Sequence, residues 1–245
     1  MKGRVFVAGA SGAIGRPLCR LLVADGWSVI GTTRYPEKAP MLRDLGVEPA
    51  IVDVFDEALL REIVRKAQPD VVVHQLTDLP PALDPTRMAE ALPRNARLRD
   101  VGTRNLVAAA VAAGVQRMVA QSLAFVYAPG PTPYGEDAPL CLDDPAYGET
   151  ARAVASLERQ VLAAPLTGIV LRYGMLYGPG TGFDVPAGSC ALHVDDAADA
   201  ARRALTHGGT GVYNIAEDDG SVSIVRAAEA LDWEPGFRPA DPEKE

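Results

Sequence analysis

Short apolar runs alternate with stretches whose apolar residues recur every three or four positions, and the alternation persists from residue 4 to residue 231. The first run, 5–8, gives way to GASGAIG and then to Ile14, Leu18, Leu21 and Leu22, one apolar face at helical spacing closed by Asp25 and Gly26. A second run covers 27–30. Beyond it the pattern predicts a short helix over 36–46 and strands over 49–54, 71–74, 117–122, 168–172 and 211–215. Further helices are predicted over 59–67, 94–113, 147–163, 197–205 and 223–231. The run VVVH at 71–74 is of the kind buried on both faces of a parallel sheet. Residues 79–85 form a proline-rich loop, and 130–145, rich in Pro, Gly and Asp, read as a loop over the site, with Glu136 and Asp137 as solvated charge. The connection 183–192 reads as bare, and the tail from Trp233 as loosely held. The expected fold is α/β, a doubly wound parallel sheet (Rossmann fold) with helices on both faces. Residues 1–175 are expected to form its core. Residues 176–245 form a reduced substrate-binding and C-terminal part that returns a strand and a helix to that core.

The order strand, glycine turn, helix, strand over residues 4–34 is the first unit of a dinucleotide-binding fold. Gly9 turns the chain out of the strand, Gly12 admits a diphosphate close to the backbone, and Gly15 lets helix and strand pack tightly. The helix N-terminus that follows offers unsatisfied N–H donors and partial positive charge to the phosphates. An NAD site places an acid at the end of the second strand, yet no Asp or Glu lies between Trp27 and Tyr35. Arg34 stands there instead, with a fork suited to a 2′-phosphate, which favours NADP(H) over NAD.

Composition narrows the setting. The 245 residues are 48% hydrophobic, enough for a proper core. A net charge of −8 argues against nucleic acid or an anionic membrane as partner. Cys19, Cys141 and Cys190 are too few and scattered for a disulfide framework or a zinc site, so no metal is expected and a reducing cytoplasm is the default compartment. No apolar stretch has the length of a membrane span, and the chain runs straight into its first strand with no room for a signal peptide.

Five segments then resemble one family, the extended and atypical short-chain dehydrogenases/reductases with their NAD(P)-dependent epimerases and dehydratases. They are GASGAIG from Gly9, VVVH from Val71, GTRNLVAAAVAAGVQRMVAQS from Gly102, VLRYGMLYGPGTGF from Val170 and HVDDAADAA from His193. The resemblance implies cofactor contacts at Gly9, Ser11, Gly12, Ala13, Ile14, Gly15 and Arg34. It implies an adenine contact at Asp53, a backbone contact at Val54, and His74, Gln75 and Leu76 beneath the ribose and nicotinamide. It also implies that His193 to Asp196 cap the next helix, with an Asp as the capping residue. His74 reads as a packing or backbone-bonding residue rather than a base or ligand.

The family's catalytic set is a Ser or Thr after the fifth strand and a Tyr followed four residues later by Lys. Tyr147 fits the tyrosine, but Ala151 stands where the lysine belongs. The hydroxyl position falls on Leu123, with Ser122 one place early, and Arg99 stands where many members carry Asn. Tyr127 is a rival proton donor. Without the lysine, making a tyrosinate from a tyrosine near pKa 10 costs on the order of 4 kcal/mol at neutrality. That burdens tyrosine as a base more than tyrosine as an acid, so reduction by NADPH is the easier chemistry.

The expectation is an NADP(H)-dependent oxidoreductase reducing a small carbonyl compound, with Tyr147 or Tyr127 as proton donor and Ser122 polarising the oxygen. Two alternatives stay open: an epimerase or dehydratase using another acid/base pair, and an NADP(H)-binding sensor or scaffold without chemistry. A homodimer through the two long helices follows from the relatives' habit and from alanine-rich faces at 94–113 and 147–163.

Overall fold

The computed structural model describes residues 2–239. The first half of the chain runs β1 Arg4–Ala8, α1 Gly15–Ala24, β2 Ser28–Thr33, α2 Ala39–Asp44, β3 Glu48–Ile51, α3 Glu57–Ala67, β4 Val71–His74, α4 Pro85–Arg97 and α5 Thr103–Ala112. The second half runs β5 Arg117–Leu123, α6 Gly148–Ala163, β6 Thr167–Tyr173, β7 Met175–Tyr177, β8 Ala191–His193, α7 Val194–Ala204, β9 Gly211–Ile215 and α8 Val225–Leu231. Seven strands form one parallel sheet in the order β3-β2-β1-β4-β5-β6-β9. The order reverses between β1 and β4. In an open α/β sheet that reversal leaves a crevice at the carboxyl ends of the strands, where ligands bind.

Both faces of the sheet are covered, as the continuous apolar strands require. On one side Val5, Val7, Ile169 and Leu171 pack against Leu18 and Leu22 of α1, Leu42 of α2, the alanines of α7 and Leu231 of α8. On the other, Phe6, Val72, Met118 and Val170 pack against Leu60 and Val64 of α3, Leu106 of α5, and Leu157 and Val161 of α6. Each such leucine or valine contributes about 1.5–3 kcal/mol by leaving water. Among the described residues no helix is long and apolar enough to cross a membrane.

Five expectations change. The helix expected over 94–113 begins at Pro85, because the Asp84 carboxylate accepts from Thr86 N at 3.0 Å and proline suits the first helical position. It passes through a π-helical turn, Leu98–Gly102, before α5. The connection 183–192 is not bare, since β8 at its end pairs with β7. The cap of α7 is His193, whose Nδ1 accepts from Asp195 N, and not an aspartate. Glu136 is buried, accepting from Asn214 N at 3.0 Å, while Asp137 beside it is exposed. The tail is held as far as it is described. Trp233 is fully buried and donates to Asp196 O, and the Gly236 and Phe237 amides donate to the Asp196 carboxylate. Composition misled there because one buried carboxylate organises an otherwise polar segment.

Candidate functional site

The glycine turn leaves β1 at the crevice. Gly9 adopts φ +92°, and a Cβ on it would sit 2.6 Å from Gln75 O, so the turn is drawn tight against the end of β4. Gly12 N donates to Gly9 O at 3.0 Å, and Gly9 N donates to Thr32 Oγ1 at 3.1 Å, which pins the turn to β2. Ser11 faces Thr33 Oγ1 across the same gap. Ala13 and Ile14 lead into α1, whose first turn has no side-chain cap and no acidic residue. Arg16 N donates to Gly12 O at 3.2 Å, and the Ala13, Ile14 and Gly15 N–H groups before it have no partner among the described residues and are available to an anion.

Around this turn the other cofactor candidates fall at the ends of neighbouring strands. Arg34 Nη2 donates to Asp78 Oδ1 at 2.6 Å, and Arg94 Nε reaches the other oxygen of Asp78 at 3.3 Å. Burial alone would raise Asp78, but the two guanidiniums hold its carboxyl below the usual range. Asp53 Oδ1 accepts from Phe55 N, and Val54 O accepts from Asn105 Nδ2. His74 is buried, with Nδ1 accepting from Leu76 N and Nε2 facing Thr103 Oγ1 at 2.9 Å. Burial, helped by the nearby Arg99 charge, lowers it to about 4, so it is neutral at physiological pH. Leu76 O accepts from Gln121 Nε2. Gln75 donates to Tyr173 Oη at 3.1 Å, while its Oε1 is buried with no partner among the described residues. An orphan acceptor, a glycine cradle that a Cβ would fill and an open helix N-terminus together fit a dinucleotide.

The hydroxyl candidates divide. Ser122 is 2% exposed and donates to Glu158 Oε1 at 2.6 Å. Glu158 in turn receives a two-pronged bond from Arg172, 2.8 Å from Nε and 2.7 Å from Nη2. Arg172 Nη1 donates to Tyr127 Oη and to Glu136 O, each at 2.9 Å, and Tyr127 donates to Asn214 Oδ1 at 2.6 Å. Burial raises Tyr127 above the usual phenol range. Ser122 and Tyr127 thus share one buried network with their protons committed to acceptors. Tyr147 lies outside it, 52% exposed at the start of α6, with a hydroxyl that bonds nothing among the described residues. Ala151 is fully buried in an apolar cluster with Val126 and Val154.

Nothing local in the sequence marks Glu158, Arg172 and Asn214 as members of this network. The available signal was faint: Glu158 shares the buried face of α6 with Val154, Leu157 and Val161, and Arg172 interrupts the apolar strand VLRY. On the outer side of α5 and α6 a groove of about 690 Å³ is lined by Arg104, Val107, Val111, Ser156, Arg159 and Ala163.

A profile of the NAD dependent epimerase/dehydratase family matches residues 5–188. A 3-diazoavenalumate denitrifying reductase from Streptomyces sp is 42% identical over 96% of this chain and 80% of its own length. A ceramide reductase from Caulobacter vibrioides is 27% identical over 73% of the chain, which spans 48% of that protein. Among solved structures, the Thermotoga maritima UDP-glucose 4-epimerase with UDP-glucose superposes with TM-score 0.76 at 20% identity, covering 96% of this chain and 94% of that one. A Bordetella bronchiseptica enzyme in complex with NAD superposes with TM-score 0.75 at 18% identity, covering 97% and 90%.

Proposed function

The chain belongs to the NAD dependent epimerase/dehydratase family, and from that premise we propose that it is an NADPH-dependent reductase whose substrate accepts hydride without a tyrosine–lysine proton relay. The observation carrying this reading is the dismantled relay: Ala151 in an apolar cluster, and the Ser122 and Tyr127 protons held by Glu158 and Asn214. Bound NADPH would supply the hydride. Gly9, Gly12, Gly15 and the α1 N-terminus would hold its diphosphate, and Ser11, Ala13 and Ile14 would line the turn. Asp53 and Val54 would meet the adenine, His74, Gln75 and Leu76 the nicotinamide riboside, and Arg34 the 2′-phosphate on exchanging Asp78 for it.

A diazo compound, the kind of substrate named for the 42% identical relative, suits such a site. Hydride adds to the terminal nitrogen of a diazonium cation to give a neutral diazene, and the carbon–nitrogen bond then breaks, its electron pair going to the carbon, which takes up the proton lost from the diazene N–H as dinitrogen leaves. The net reaction turns the diazonium and NADPH into the reduced compound, dinitrogen and NADP⁺, with no outside proton. The second reading is a small carbonyl compound, whose alkoxide does need a proton. The exposed, unbonded Tyr147 hydroxyl favours that reading as donor.

Tyr147→Phe separates the two. NADPH oxidation against a benzenediazonium salt is expected to be within about twofold of wild type, whereas carbonyl reduction routed through Tyr147 falls by about 10²-fold or more. Tight NADPH binding without turnover on either class would point instead to a cofactor-binding protein without chemistry.

The cofactor choice has its own test. Arg34→Ala is expected to weaken NADPH by about 10–100-fold while changing NADH by less than about threefold, because only the charge-assisted bonds to the 2′-phosphate are lost. Calorimetric titration of both coenzymes measures the ratio, and an unchanged ratio removes Arg34 from the 2′-phosphate site.

We further place the described residues from 176 on around a small-molecule substrate and the chain in the cytoplasm, its three cysteines free. The α5–α6 groove supports a homodimer: Val107, Val111 and Ala163 line it between Arg104 and Arg159, and a second copy would cover it. Sedimentation velocity is expected to give a dimer that Val111→Glu dissociates, and a wild-type monomer at micromolar concentration would refute it.

A further inference from the structure

Among the described residues the buried charges are paired, with one exception. Glu158 has Arg172, Asp196 has Arg238, Asp199 has Arg202 and Arg203, and Glu136 has Arg226 at 3.6 Å. Arg99 is 6% exposed, and among the described residues its guanidinium meets no carboxylate and donates no hydrogen bond. Burial brings it down to about 10, so it stays a cation at neutral pH. A guanidinium largely withdrawn from water without a counter-charge is costly, and such perturbed groups cluster at functional sites.

Arg99 stands on the π-helical turn between α4 and α5, a type of distortion that recurs at functional sites. Four residues further on, Thr103 faces the His74 ring at the carboxyl end of β4. Arg99 lies about one turn N-terminal of Thr103, and helices that cross between parallel strands begin at the strands' carboxyl ends, the side of the crevice. His74, the titratable neighbour that feels Arg99, is neutral at physiological pH, so it offers no compensation. The adjacent acid, Asp100, is turned toward α6, where its Oδ1 accepts from Ser156 Oγ at 2.7 Å and from Gln160 at 3.3 Å. α6 thereby holds the turn in place without neutralising it.

We infer that Arg99 is the recognition site for an anionic group on the substrate, a carboxylate gripped by both arms of the guanidinium. On the proposed coenzyme placement, the part beside the end of β4 is the nicotinamide riboside, which carries no negative charge of its own to match Arg99. The glycine turn and α1 serve the diphosphate beyond β1, and Arg34 at the end of β2 lies farther across the sheet, whereas Arg99 is grouped with the end of β4. A planar fork matches a carboxylate in two parallel bonds, which a lysine or a neutral amide cannot do. This inference deepens the reductase reading and rests on it, since it names the substrate class as small organic acids.

The test uses the full chain saturated with NADPH and the probe pairs benzoate with benzamide and cinnamate with cinnamamide. Thermal-shift and calorimetric titrations are expected to show the wild type binding each acid at least about tenfold more tightly than its amide. Arg99→Gln is expected to erase that preference, and Arg99→Lys to keep part of it. Because a neutral side chain removes an unpaired buried charge, Arg99→Gln should melt no lower than wild type without ligand, which separates a recognition residue from a structural one. Equal binding of acids and amides by the wild type, no binding of the acids, or an acid preference retained in Arg99→Gln would each overturn the inference. So would a tenfold weaker NADPH affinity in Arg99→Gln, which would assign the charge to the coenzyme. NADPH binding that survives while the acid preference fails discards the anion site and leaves the reductase reading standing. A wild type that binds no NADPH discards the reading itself.

Discussion

Replacing Arg172 by methionine is expected to lower the free energy of unfolding by about 3–5 kcal/mol, the range found when one member of a buried ion pair is removed. The side chain is buried and makes four hydrogen bonds: two to Glu158, one to Tyr127 and one to Glu136 O. Deleting it leaves the Glu158 carboxylate facing only the Ser122 hydroxyl in a dry interior, and it leaves a backbone carbonyl and a phenol oxygen each short of a donor. At roughly 2–4 °C per kcal/mol for a chain of this size, the melting temperature should fall by about 6–20 °C. The double variant Arg172→Met/Glu158→Leu should recover much of the loss, because the stranded charge goes with its partner. Urea unfolding followed by circular dichroism measures both. A single-variant loss below about 1 kcal/mol would mean that water already reaches the pair, and the reading of Ser122 and Tyr127 as sequestered hydroxyls would fall with it.

That network marks the boundary of what the chain shows when read in one dimension. The glycine turn was legible because its determinants are local: three glycines, an apolar run on each side and a helix pattern within thirty residues. The parallel sheet was legible for the same reason, from apolar runs too continuous to face water. Ala151 was legible as a gap, but not what surrounds it. The partners that commit Ser122 and Tyr127, Glu158 and Asn214, lie 36 and 87 residues away along the chain, and no periodicity predicts which buried acid meets which hydroxyl. The tail was misread for a related reason. Asp196 looked like a helix cap, whereas its carboxylate collects two amides and the Arg238 guanidinium from forty residues on. In the sequence Arg99 is only an odd residue at a family asparagine position, and its burial without a partner among the described residues gives it physical content. Local turn chemistry is written locally, while the pairing of buried polar groups is decided by the assembled layers.

Gly15→Ala should be the most damaging change to coenzyme binding for its size, with NADPH weakened by about 10²-fold or more and stability reduced by about 1–3 kcal/mol. Helix propensity argues the opposite way. Gly15 opens α1 with ordinary helical geometry, where alanine is favoured over glycine by about 1 kcal/mol. Space decides against that gain. A Cβ at Gly15 would stand 2.8 Å from both the carbonyl carbon and the Cα of Ala10 and would overlap Gly9 O more severely still, all of them backbone atoms that cannot rotate aside. Relief requires α1 to move away from β1, and that motion opens the turn whose N–H groups are aimed at the diphosphate. Gly26→Ala is the control at a left-handed position, φ +86°, with nothing within 4 Å of the added methyl. It should cost stability through backbone strain alone and leave NADPH affinity unchanged. Calorimetric titration and thermal melting on both variants distinguish the cases. Gly15→Ala binding NADPH like wild type would show that helix packing against β1 does not shape the diphosphate cradle, and equal loss of affinity in Gly26→Ala would trace the effect to stability rather than to the turn.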